Sequence, residues 1–313
     1  MSTYKKIVSL QNKTYTTMNT RNPKQEHKGV RFTVKESCEL MTFLMNKMSG
    51  ISRTKVKNIL SNGLVWVDDD VVSQYNHMLQ PGMQVRIGKK EEKRKFTSKW
   101  MRIVFEDKYI VVVEKREGIV TNTPTDEASV QKVLNQYFEF TRQRCRAHTV
   151  HRLDKHTSGL IIFAKDKKIS LMFEKDWKNI ISDRRYVAVV EGFMEKEYGT
   201  VESYLKDNRM FVSYSADNDA DGGKHSITHY KTLKRKPDFS LVELRLETGR
   251  KNQIRVHMQD LKHPIVGDDK YGSTTDPLRR VALHAYKLSF IHPITNEELS
   301  FETPIPDNFM RLI

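Results

Sequence analysis

Cysteine is what this chain has least of: Cys38 and Cys145 are the only two, far apart and without paired spacing. That excludes a disulfide-stapled scaffold and a cysteine-ligated zinc site, and it points to a reducing compartment such as the cytoplasm. Long apolar runs are missing as well. No stretch reaches the ~18–20 uninterrupted apolar residues that a membrane-spanning helix needs. The opening MSTYKKIVSLQNKTYTT lacks the apolar segment of a secretory signal. There is no internal repeat, no low-complexity tract and no glycine-rich phosphate cradle; Gly222 and Gly223 sit among Asp and Asn without the required spacing. Negative charge is in the minority, 39 Asp+Glu against 54 Lys+Arg, for a net charge of +15 and a pI near 9.6. Such an excess concentrates polyanions and favours nucleic acid or an anionic membrane surface.

What is present suffices for a core. The chain has 313 residues, 38% of them hydrophobic, which suits a globular protein of about two domains. Residues 1–28 are polar and aperiodic, the composition of a mobile tail. In 29–90, Leu40, Phe43, Leu44 and Met48 recur at helical spacing, and a second short helix is expected from an N-cap at Ser52 to Gly63. Leu64 to Val67 reads as a strand, Asp68 to Asp70 as a turn, and Met83 to Ile87 as a closing strand. The charge run KKEEKRK follows, so 91–98 is expected to be a linker.

From 99 to 313 a larger domain is expected. Ile110 to Val113 and Leu160 to Ala164 are short apolar runs, as in strands buried on both faces. Val242, Leu244 and Leu246 alternate with charges. Val130, Val133, Leu134, Tyr137 and Phe138 form one helical stripe, and Phe173, Trp177, Ile180 and Ile181 another. Strands broken by occasional helices imply an α+β fold around a mixed sheet.

The densest polar cluster beside an apolar run is HRLDKHTSG at 151–159, leading straight into Leu160. A loop feeding a core strand is held firmly and suits chemistry that demands accurate placement. Asp154 is its only carboxylate, among Arg152, Lys155, His151 and His156. Cationic neighbours lower a carboxylate's pKa, so an ionised Asp154 could serve as nucleophile or base. Spacing alone favours a plainer role as turn residue or surface ion pair. The histidines at 148, 151, 156, 257, 284 and 292 lack metal-ligand spacing, so no metal is expected.

HRLDKHTSGLIIFAKD at 151–166 resembles the signature of the RluA-type pseudouridine synthases, and three further stretches agree in the family's order. These are RYVAVVEG at 185–192; ETGRKNQIRVHM at 247–258 with HPIVGD at 263–268 and Tyr271-Gly272; and LHA at 283–285 with His292-Pro293 and FETP at 301–304. Residues 29–90 resemble an S4 RNA-binding domain, on ISRTKV at 51–56, GLV at 63–65 and LQPG at 79–82. The resemblance implies a catalytic domain with a mixed, mostly antiparallel central sheet flanked by helices, plus the small S4-like domain. It implies that Asp154 is the essential aspartate, that Tyr186 lies against the target uracil, and that Arg255 pairs with the aspartate. Arg152 would hold RNA with its base extruded. Arg250 and Lys251 would flank the groove, and Arg53, Lys55 and Lys57 would contact phosphates.

The implied partner is RNA, ribosomal RNA first and transfer RNA as the alternative, with no membrane and a monomer as the default. Isomerising uridine breaks N1–C1′ and joins C5 to C1′ with no net exchange of electrons or groups, so no cofactor is called for. A carboxylate could attack C1′ or remove the 2′ proton, and the sequence leaves both open. A retained fold serving only as an RNA binder or ribosome-assembly factor is the rival reading; Asp154 counts against it, because a binder gains nothing from an acid facing phosphates. The sequence departs from the family pattern at Met41, at Asp68-Asp69, at Lys115-Arg116 and at Asn252. Met41 and Asp68-Asp69 depart from the S4 pattern, while Lys115-Arg116 and Asn252 bear on which RNA is read rather than on the reaction.

Overall fold

The computed structural model describes residues 6–9 (backbone), 29–88, 96–219 and 222–313. The chain divides into two compact units, Tyr15–Lys95, and Phe96–Ile313 together with Met1–Thr14. Of the stretch expected to be a tail, Lys6–Ser9 is a strand (β1); its remainder and the charge run at 89–95 lie outside the described residues.

In the smaller unit, β2 (Gly29–Thr33) and β3 (Cys38–Glu39) precede α1 (Leu40–Lys47) and α2 (Arg53–Ser61). The strands β4 (Val65–Val67), β5 (Asp70–Val71), β6 (Met78–Leu79) and β7 (Gln84–Gly88) follow. Ser52 caps α2, its hydroxyl accepting from the Lys55 amide, and Gly63 follows the helix with φ +65°. The apolar stripe is buried: Leu40, Phe43 and Leu44 from α1 meet Val56 and Leu60 from α2 over Val65 and Val85. Asp68 and Asp69 turn the chain with φ of 47° and 74°, a left-handed conformation that Asp tolerates better than most residues.

The larger unit is α+β around one large mixed sheet. Its elements are β8 (Met101–Glu106), β9 (Ile110–Lys115), α3 (Val130–Phe140), β10 (His148–Thr149), β11 (Ser158–Ala164), α4 (Lys167–Lys175) and α5 (Trp177–Ile180). Then come β12 (Ile181–Glu191), β13 (Tyr198–Asp207), β14 (Ser213–Ala216), β15 (Lys224–Arg235), β16 (Phe239–Leu246), α6 (Gln253–Asp260), β17 (Leu283–Ile291), β18 (Glu298–Glu302) and α7 (Asp307–Met310). The strand order is β14-β13-β15-β16-β12-β17-β11-β9-β8, with β18 beside β17, β1 beside β18 and β10 beside β11. Two pairs are parallel, β11 with β17 and β1 with β18; the other pairs described are antiparallel.

The apolar runs bury both faces of the sheet. Val111, Val113, Ile161 and Phe163 enter one core, while Ile110, Val112, Leu160 and Ile162 enter another with Phe173 of α4. Each such side chain contributes roughly 1.5–3 kcal/mol. The second helical stripe is not one helix. Asp176 leaves helical geometry (φ −129°, ψ 38°), ends α4 and accepts from the Asn179 side chain at 2.6 Å, and Ile181 already belongs to β12. A short acidic side chain that bonds a neighbouring side chain outside helical geometry competes with helix continuation.

One backbone approach positions everything at the β11 end. Gly159 has φ +119°, and a Cβ there would lie 2.2 Å from the Ala285 oxygen and 2.6 Å from its nitrogen, across the parallel pairing Gly159–Ala285. Gly159→Ala is therefore expected to destabilise the larger unit by about 2–4 kcal/mol, through strain and forced strand separation. Urea unfolding followed by circular dichroism tests this; a midpoint equal to that of the unmodified chain refutes the close-approach account.

Candidate active site

The loop before β11 is clamped from below. Thr121 holds Leu153 reciprocally: its hydroxyl donates to the Leu153 carbonyl at 2.8 Å and accepts from the Leu153 amide at 3.1 Å. The Lys155 carbonyl accepts from the Gly118 amide at 2.8 Å and from the Lys115 ammonium at 3.3 Å. Asp154 sits between these two pinned neighbours, and its own carbonyl closes the turn by accepting from the Thr157 amide at 3.1 Å. Among the described residues none hydrogen-bonds or ion-pairs with its carboxylate.

Tyr186 arrives on β12 where the register with β17 shifts between Arg185 and Tyr186. Such an irregularity re-aims a side chain. Arg255 arrives on the first turn of α6, whose N-cap Asn252 is left-handed (φ 55°). Gln253 anchors that turn, donating to the Ile227 carbonyl and the Thr228 hydroxyl and accepting from Thr248 and from the Arg250 amide. Asp154, Tyr186 and Arg255 line one cavity of about 60 Å³ together with Arg152, Arg184, Arg250 and Asn252. Its enclosed space equals about two waters, at the foot of a concavity open to solvent. A larger cavity of about 730 Å³, next to Lys115, Arg280 and His284, contains none of these groups.

Arg255 lines the cavity with Asp154, but its hydrogen-bonding fork is not directed at it. Nε and one terminal nitrogen each donate to Asp268 at 2.6 Å, and the other donates to Asn252 at 2.9 Å. Asp268 is fully buried and Arg255 nearly so, and the guanidinium lies 4.6 Å over the Tyr271 ring. The expected direct pair of Arg255 with Asp154 is thus replaced by a bidentate pair with Asp268, leaving Arg255 to act on Asp154 through its field.

The balance of charges also differs from expectation. Burial raises the Asp154 pKa above its ordinary 3.8, and Arg255, Lys115 and Arg152, which pull it down, do not offset the loss of water; Asp268 pushes the same way as burial. Burial, helped by Asp154, holds the Tyr186 phenol above its ordinary range against the pull of Arg184. Lys115, fully buried, is pushed down to about 7 by burial, although Asp154 and Glu117 favour its charge.

Residues 109–260 match the family profile described as RNA pseudouridylate synthase. The uncharacterized RNA pseudouridine synthase YlyB of Bacillus subtilis (strain 168) is 35% identical over 283 residues, covering 87% of this chain and 91% of that one. The chain belongs to the RNA pseudouridylate synthase family. It is similar to the ribosomal large subunit pseudouridine synthase D of Pasteurella multocida, 32% identical over 84% of this chain and 86% of that one. The fold is shared with human RNA pseudouridylate synthase domain containing 1, at a TM-score of 0.56, 24% identity, and coverage of 67% of this chain and 86% of that chain. The protein is accordingly an isomerase that forms pseudouridine in RNA.

Not every expected site residue of this pseudouridine synthase converges. Arg152 and Arg250 are exposed at the cavity rim. Lys251 is not on the cavity; it pairs with Asp207 at 2.9 Å and donates to the Phe211 carbonyl at 2.9 Å. Arg53, Lys55 and Lys57 are exposed on α2 in the smaller unit. The sequence singled out neither Asp268 nor Arg184 as a site residue, and marked Lys115 only as a departure from the family pattern. Asp268 closes HPIVGD and Arg184 precedes the RYVAVVEG stretch, so their motif positions were visible, but their partners were not. Among the described residues no cluster of three metal-ligating side chains occurs.

Because folding raises the Asp154 pKa, the folded chain holds that proton more tightly than the unfolded chain does. The contribution to stability is full below the unfolded value near 3.8 and is lost as pH rises through the folded value. Asp154→Asn should therefore raise the thermal midpoint at pH 7 by roughly 2–4 °C, with the gain vanishing near pH 3. Calorimetry at the two pH values measures it, and a lowered midpoint at pH 7 contradicts the burial argument.

Proposed function

We propose that this synthase isomerises a specific uridine in structured RNA, with large-subunit ribosomal RNA as the substrate, and that Asp154 is its reacting carboxylate. The observation carrying this is the free Asp154 carboxylate on a pinned loop, lining one cavity with Tyr186 and Arg255. A half-buried carboxylate with no hydrogen-bond or ion-pair partner among the described residues is costly to the fold, and such groups concentrate where a substrate is met. The choice of ribosomal RNA is supported by relatives named ribosomal large subunit pseudouridine synthase D in Pasteurella multocida and Neisseria meningitidis.

The target ribose lies inside a stacked helix until its nucleotide is flipped out, at an expense of a few kcal/mol that is least in loops and bulges. The cavity opens to solvent at a rim where Arg152 is exposed and without an ion-pair partner among the described residues, and the flipped uracil enters from that side. Asp154 then either bonds to C1′ or takes the 2′ proton, and N1–C1′ breaks. The detached uracil is held against the Tyr186 ring and turned; C5 bonds to C1′ as the Asp154–C1′ bond breaks or, on the other route, as Asp154 returns the proton to C2′, and the C5 proton leaves as N1 gains one. Tyr186 and Asp154 are the two groups assigned to move that proton. Arg255, oriented by Asp268, favours the ionised Asp154 once bound RNA excludes water. The smaller unit adds phosphate contacts through Arg53, Lys55 and Lys57, which add affinity without reading sequence.

Asp154→Asn is expected to abolish tritium release from ribosomal RNA labelled at uridine C5, while RNA affinity stays within roughly tenfold. Equal turnover by the variant ends the assignment. Replacing Arg53, Lys55 and Lys57 with Gln should weaken RNA binding and shallow the slope of log Kd against log salt by about 1 for each phosphate no longer neutralised. An unchanged slope in filter binding removes the smaller unit from the interface.

A further inference from the structure

The tip of the β13–β14 hairpin, residues 208–212, carries two large apolar side chains in water. Met210 is 77% exposed and Phe211 75%. Single exposed apolar residues need no explanation, but Phe211 also has φ +59°. The left-handed region disfavours a bulky side chain and favours glycine or asparagine. Neither packing nor backbone preference therefore accounts for phenylalanine at this position, and strain of this kind concentrates at functional positions.

The tip is rigid rather than loose. The Asn208 side chain accepts from the Met210 and Val212 amides, both at 2.9 Å, and the Asn208 and Phe211 backbones close the turn. It is also tied to the reaction cavity. Lys251 donates to the Phe211 carbonyl and lies 5.8 Å from the centre of its ring, and it stands between Arg250 and Asn252, which both line that cavity. At the hairpin base, the Ser213 amide donates to the Tyr271 hydroxyl, and the Tyr271 ring lies beneath the Arg255 guanidinium. Two basic side chains accompany the tip: exposed Arg209 adjoins Met210 in sequence, and Lys251, paired with Asp207, lies against the Phe211 ring.

We infer that Met210 and Phe211 form a stacking platform for an unpaired base of the RNA, next to the nucleotide delivered to Asp154. The inference rests on the proposed reaction site and adds a substrate-positioning element outside it. An aromatic face flanked by cations takes any base by stacking while the charges hold its phosphates. Rigid attachment to α6 fixes the distance between the stacked base and the cavity, so the platform sets how the flanking strand is held as the uridine leaves its helix.

Two variants test it. Phe211→Gly relieves the backbone strain, so its thermal midpoint should equal or exceed that of the unmodified protein. On a large-subunit ribosomal RNA transcript tritiated at uridine C5, its KM should rise about tenfold with kcat within about twofold. Phe211→Trp should restore KM, and single-stranded oligouridylate should quench its emission beyond the quenching seen with the native Trp66, Trp100 and Trp177 alone. A KM within twofold of the unmodified enzyme, a loss confined to kcat, or no added quenching by oligouridylate overturns the platform. Absence of tritium release by the unmodified enzyme counts instead against the proposed substrate, and the fluorescence arm then decides the platform by itself.

Discussion

The constraint on which the site depends is the buried pair of Arg255 with Asp268. A guanidinium taken out of water requires a carboxylate, and the planar fork of Arg255 finds one in Asp268, with two 2.6 Å bonds and full burial of the acid. Because that fork is occupied, the Asp154 carboxylate shares a cavity with a cation without being captured by it. On the proposed role of Asp154, a direct pair would have to be broken by substrate before chemistry could begin. Removing one partner of such a buried pair typically destabilises by about 3–5 kcal/mol, so the arrangement also locks α6 against the loop that holds Asp268. The charge on Arg255 reaches Asp154 as a fixed field, which needs no rearrangement when the substrate arrives.

That field does not overcome burial: the carboxyl stays above its ordinary pKa despite three cationic neighbours. The site therefore holds a stored penalty that the fold carries and that, on the proposed role of Asp154, contact with substrate relieves. The scaffold resists the penalty through short-range pinning: Thr121 and Gly118 fasten the residues on either side of Asp154, and Gly159 lets β11 close on β17 directly afterwards. Glu191 does comparable work for the loop after Asp268. It accepts from the Ser273 hydroxyl at 2.7 Å and from the Thr274 and Thr275 amides at 2.8 and 2.7 Å. Those bonds hold its carboxyl below the usual range even though burial opposes them.

Some of the architecture was hidden for a definite reason. β15 alternates in burial, but its inward positions include Ser226, Thr228 and Thr232, so a hydrophobic period has little to detect. These polar residues are satisfied by nearby backbone and by α6: Thr228 bonds both His257 and Gln253, and Ser226 bonds the Lys224 carbonyl. α6 itself was read only as a motif, because its first turn is anchored by Gln253 and a left-handed Asn252 rather than by a conventional cap. The stripe from Phe173 to Ile181 misled in the opposite sense. Its spacing is helical, yet Asp176 interrupts it and the last residue turns into the sheet.

The order of residues along the chain was enough to determine the α+β class, the doubly buried strands β9 and β11, the helices α1, α2 and α3, and the loop that bears Asp154. Each of these depends on neighbours within a few positions, where apolar period, caps and turn chemistry act. The family, too, was legible, because its motifs are contiguous stretches. Only the tertiary structure decided that Arg255 binds Asp268, that Lys251 serves the hairpin instead of the cavity, and that burial outweighs the cations around Asp154. Those outcomes depend on which side chains meet across long separations and on how much water the assembled walls exclude. Neither quantity is written in local sequence.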